Sequence, residues 1–99
     1  MSAALTAKVL AEIMEMMKAR NIRVNAVQEK MLHSHVRAMV RRSITGEPLP
    51  EVDEGLFDDI SVDSMLMAKQ IVSGLGNLPV EEAYLLSVHF EVAKNNNVE

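Results

Sequence analysis

The stretch NAVQEKMLHSHVRAMVRRSITG, residues 25–46, decides how this chain folds. Asn25 has a side chain that caps a helix N-terminus, and Gln28, three residues on, can reach back to it, the spacing of a capping box. Val27, Met31, Leu32, Val36, Met39 and Val40 then recur at helical spacing. Gly46, followed by Pro48 and Pro50, gives the stop. At roughly 100° per residue, His35 falls between Met31 and Met39, inside the apolar stripe. Arg42, seven residues later, returns to nearly the same azimuth two turns along. His33 points about 200° away from His35, so these two rings do not share a face. A polar ring in an apolar stripe, with a cation above it, needs a reason.

Working outward, residues 3–19 form an earlier amphipathic helix ending near Arg20 and Asn21. Leu5, Val9, Ile13, Met16 and Met17 line one side, and Lys8, Glu12, Glu15 and Lys18 lie mostly on the other. Residues 47–60, EPLPEVDEGLFDDI, read as an acidic, proline-bearing loop with one or two helical turns around 51–57, anchored by Leu56, Phe57 and Ile60. From Ser61 the helical pattern returns, with Met65, Ala68, Val72 and Leu75 on one face, flanked by Leu66 and Ile71. Gly74 and Gly76 end it. In the last segment Asn77 or Leu78 caps, Pro79 suits the first helical position, and Glu81 and Glu82 favour the positive end of the dipole. That helix is apolar around much of its circumference and is expected to be the most buried. The tail is expected to fray from about residue 95. With no strand alternation and no internal repeat, the pattern predicts an all-α compact bundle of four to five helices in one domain spanning 1–99.

Composition bounds the function. The chain has 99 residues, 48% apolar and 24% charged, as expected for a globular domain. It has no Cys, which excludes disulfides, thiolate zinc sites and a cysteine nucleophile. Neither a signal peptide nor an apolar run of membrane-spanning length is present, so a cytoplasmic protein is expected. The net charge is −4, and the only dense basic cluster is Arg37, Arg41 and Arg42, which argues against direct nucleic-acid binding and leaves room for one anion site. Eight Met residues give an adaptable core and helix faces that invite a homodimer.

Two constellations carry chemistry. His35 with Arg42 reads either as a partly buried core histidine or as a neutral imidazole that accepts phosphate, Arg42 supplying bidentate donors. His89 sits among Leu85, Leu86 and Ala93 with Glu82 two turns earlier, so a carboxylate can fix its tautomer, and the same two readings apply. His33 and His35, two apart on a helix, diverge and make a poor metal pair, so no metal and no cofactor are expected. No Ser lies in a nucleophile elbow, the GLG of residues 74–76 follows a helix instead of preceding one, and the acidic run 47–63 lacks a calcium loop's alternation. Turnover is not expected.

The stretch LHSHVRAMVRRSITG, residues 32–46, resembles the first motif of the phosphotransferase-system regulation domain, or PRD, of bacterial antiterminators and activators. EAYLLSVHF, residues 82–90, resembles its second motif. The resemblance implies a compact five-helix bundle, usually dimeric, with His35 and His89 as phospho-acceptors and Arg42, Glu82 and Arg41 as support. It implies phosphate donors, the phosphocarrier HPr or a permease B component, and transcriptional regulation of the antitermination type. Ser34 stands where the family commonly has Asp before its first histidine. No RNA-binding, helix-turn-helix or permease segment is read in the chain, so a stand-alone domain acting through a regulatory partner protein is expected. The alternatives are a helical adaptor that has kept the fold and lost phosphorylation and, more remotely, a metal-dependent hydrolase using His35, His89 and Glu82.

Overall fold

The computed structural model describes residues 2–94; the tail expected to fray from about 95 lies outside the described residues. Four α-helices follow in order: α1 Ser2–Ala19, α2 Ala26–Thr45, α3 Val62–Leu75 and α4 Glu81–Lys94. A short 3-10 turn, Glu54–Phe57, interrupts the α2–α3 connection. No strand occurs among the described residues, so the fold is all-α.

Local chemistry sets the boundaries. The capping box of α2 forms as its spacing predicts: the Gln28 amide donates to Asn25 Oδ1 at 2.8 Å, and the Asn25 amide donates to Gln28 Oε1 at 3.1 Å. At the other end Gly46 takes φ 74°, a left-handed conformation that a Cβ would strain, and its amide returns to the Arg42 carbonyl at 2.8 Å. Ser61 caps α3 by accepting from the Ser64 amide. Pro79 does not open α4; Pro79 and Val80 form a turn whose carbonyls accept from the Glu82 and Ala83 amides, and regular helix starts at Glu81.

The core is built from one face of each helix. Val9, Ile13 and Met17 of α1 meet Leu32, Val36, Met39 and Val40 of α2, with Met67, Ala68, Ile71 and Val72 of α3 and Ala83, Leu86, Phe90 and Ala93 of α4. Most have no exposed surface, so each of the larger side chains contributes on the order of 1.5–3 kcal/mol of hydrophobic transfer. Three expectations of burial fail. Val27 and Met31 prolong the α2 stripe in sequence but stand in solvent, because that end of α2 projects past its neighbours' cover. In α3, Met67 and Ser64 are buried while Leu66 is exposed and Met65 only half-covered, since a run apolar on every side carries no phase of its own. Of the three expected loop anchors, Leu56 is exposed, whereas Ile60 is partly buried and Phe57 stacks on Tyr84 at 5.7 Å.

Candidate functional site

Helices α2 and α4 face each other along a seam crossed by polar side chains. At one level the rings of His35 and His89 meet, with centroids 5.1 Å apart and planes tilted by 37°. At the other, Arg42 Nε donates to Glu82 Oε2 at 2.5 Å and Nη2 donates to Oε1 at 2.8 Å, a bidentate fork. His35 precedes Arg42 by seven residues on α2, and Glu82 precedes His89 by seven on α4. The helices are therefore antiparallel, with two rungs separated by about 10.5 Å along the axes. Beyond the second rung, Ser43 Oγ donates to the Gly76 carbonyl at 3.0 Å, and Asn77 Nδ2 donates to the Ser43 carbonyl at 2.9 Å. These bonds tie the α3–α4 loop to the end of α2.

The site is dry. Glu82 has no exposed surface and the Arg42 side chain is 17% exposed. His35 Nε2 is buried and has no hydrogen-bond partner. Burial, and then the neighbouring His89, lower the His35 pKa from 6.5 to about 4. Glu82 and Arg42 act on His35 with opposite sign and offset one another, so desolvation decides. Burial also lowers the pKa of His89. Both rings are thus neutral near pH 7, which leaves each an unprotonated nitrogen lone pair. Arg42 is stabilised as a cation first by its hydrogen bonds to Glu82.

The structure brings His35, His89, Arg42 and Glu82 together but pairs them differently from the sequence expectation. Glu82 does not act as the orienting carboxylate of His89: its two oxygens belong to Arg42, and the Arg42 donors expected to face a phosphate are occupied by Glu82. Arg41 and Arg37 are exposed, outside the seam. His33 lies on another side of α2, 3.8 Å from Glu29 one turn back. No group of three metal-ligating side chains occurs among the described residues. No helix among them is long and apolar enough to cross a membrane. The signal for the pairing was present: two seven-residue spacings, cation last in one and anion first in the other, match across an antiparallel contact. Ser43 and Asn77 carried no such signal.

Fold and site together define an all-α domain with paired histidines and an ion pair between two antiparallel helices. The chain superposes on the crystal structure of a PRD-containing transcription regulator from Lactobacillus casei ATCC 334 with a TM-score of 0.90 and 34% sequence identity. The match covers 94% of this chain and 83% of that one. The chain belongs to the PRD family. No protein-family model and no curated protein sequence matches it.

Proposed function

We propose that this chain is a regulatory domain of the bacterial sugar phosphotransferase system, accepting phosphate on His35 or His89 and signalling through dimer or partner contacts in transcription regulation. The observation that carries the reading is the imidazole pair, two neutral, partly buried rings from two helices meeting at 5.1 Å. A phosphoryl group adds about −1.5 to −2 charges, and a seam that holds neutral rings must repack around it. The donor is HPr or a permease B component, the setting is cytoplasmic, and the output is a change in partner binding without turnover. Exposed Val27 and Met31, on successive turns of α2 leading to His35, offer a surface for a homodimer or a partner.

One observation favours a second reading, an adaptor that has kept the fold and lost phosphorylation: His35 Nε2 has no accessible surface. A single experiment separates the two. The protein is incubated with phosphoenolpyruvate, the general phosphotransfer enzyme and HPr, with and without B components, and its intact mass is measured. An acid-labile gain of one phosphate, lost in His35→Ala or His89→Ala, is expected. No gain from any donor, while an active domain of this family is labelled alongside, would leave the adaptor.

A further inference from the structure

We propose that Glu82 is an internal stand-in for phosphate: it holds Arg42 in the unmodified domain and yields it to a phosphoryl group on the histidine pair, and this change of partner loosens α4 from α2. The inference rests on the histidine phosphorylation proposed above and names how that site is read out.

One chemical argument and three observations support it. A carboxylate and a phosphoryl group present oxygens to a guanidinium in the same forked geometry, so they compete for one arginine face. Arg42 is the arginine available in the seam, and its Nε and Nη2 both point at Glu82. Arg42 shares His35's azimuth two turns on, and helical side chains lean toward the N-terminus, here toward His35. His35 also lies within electrostatic reach of both members of the pair. A dianion placed there repels the Glu82 carboxylate and attracts Arg42. Glu82, with no exposed surface, then loses the cation that makes its burial tolerable and must move outward. It lies in the first turn of α4, just after the loop that Ser43 and Asn77 stitch to α2, so the movement opens that end of the seam.

Phosphoramidate, a small donor, makes the test independent of any protein donor. Its P–N bond breaks, a new P–N bond forms to an imidazole nitrogen, and the imidazole proton leaves with ammonia as ammonium. Wild-type protein is labelled and followed by nitrogen-15 NMR of the Arg42 Nε–H, assigned by its loss in Arg42→Lys, and by amide hydrogen exchange of α4. The Nε–H signal is expected to shift on labelling, and exchange in the first turn of α4 to rise by about tenfold or more. The lifetime of the phosphohistidine is expected to lengthen in Glu82→Gln, where Arg42 is released from the start, and to shorten in Arg42→Lys. Opposite signs from two members of one ion pair are what a merely structural bridge does not produce. If both variants shorten the lifetime, or if labelled wild-type protein keeps its Arg42 signal and its α4 protection, the exchange of partners is overturned while histidine phosphorylation stands. If no label enters wild-type protein, both fall together. Should Glu82→Gln fail to fold, the wild-type signal decides alone.

Discussion

Helix α4 carries Glu82, wholly buried, near one end and Glu91, partly buried, near the other, and they live differently. Glu91 accepts from the Ser61 amide at 3.3 Å, from Ser61 Oγ at 2.8 Å and from Ser64 Oγ at 2.8 Å, with Lys94 Nζ 3.7 Å away. Each of these groups has a partner, and the cluster fastens the start of α3 to the end of α4. Glu82 has one partner, Arg42, and no solvent, and the neighbouring rung holds an imidazole nitrogen with nothing to bond. Satisfied polar networks rigidify a fold, whereas a partly satisfied one stores cost and usually has another reason to exist. The Glu91 cluster is built to stay. The Glu82 cluster is built around a group that can change partner.

The comparison is broken most severely by removing Arg42. Arg42→Met leaves the Glu82 carboxylate with no exposed surface and no counter-charge, and about 3–5 kcal/mol of stability is expected to be lost at pH 7. Urea denaturation measures it. The double variant Arg42→Met with Glu82→Leu removes both charges and is expected to recover most of that loss, since a buried ion pair contributes little net of desolvation. A double variant no better than the single one would mean that packing, not charge, holds the seam.

Acid separates the two clusters by window. His35 has a folded pKa of about 4 against 6.5 for the free side chain. Between those values the unfolded chain binds a proton that the folded chain does not, so stability falls as pH falls from 6.5 to about 4, by up to about 3 kcal/mol. His35→Leu is expected to remove most of that slope. Glu91 has a pKa below its ordinary 4.5: burial opposes the shift, but bonds from Ser64 and Ser61 and the charge of Lys94 outweigh it. Its stabilising contribution is present above 4.5 and is lost as pH falls below it. Chemical denaturation at half-unit steps from pH 7.5 to 3 should show the two losses in sequence, the histidine one first.

The helices and the members of the site are legible in the sequence; how those members meet is not. Capping and glycine signals at Asn25 and Gly46 are local, written within a few residues, and both are used as expected; the Ser61 cap of α3 is an addition from the structure. His35 and His89 are conspicuous in the sequence as polar rings among apolar neighbours, and Arg42 and Glu82 as charges two turns from them on the same side. Which of them pair depends on the register of α2 against α4, a contact across 40 residues for Arg42 and Glu82. Hence Glu82 was assigned to the histidine on its own helix instead of the arginine on the other. Ser64 was hidden for the opposite reason: it is wholly buried, yet a polar residue at a helix start reads as solvent-facing until Glu91 is brought to it. Val27 and Met31 lie on the apolar side of α2 and are nevertheless exposed, because periodicity says which side of a helix is apolar and not how far the cover extends.

Smaller effects are expected from the satisfied cluster. Glu91→Gln keeps an acceptor oxygen and loses the charge that strengthens three hydrogen bonds, and because the side chain is 31% exposed the cost at pH 7 is expected to be about 1 kcal/mol. Lys94→Met should cost still less. Its ammonium donates to Ser61 Oγ at 2.8 Å and stands 3.7 Å from Glu91, but the side chain is 34% exposed, so water replaces it and the change should stay within about 0.5 kcal/mol. Thermal melts of Glu91→Gln, Lys94→Met and the double variant at pH 7 measure both the single effects and their coupling. If Lys94→Met cost as much as Arg42→Met, the two ends of α4 would be equally dependent on charge. The contrast between a cluster that fastens and a cluster that switches would then have no energetic basis.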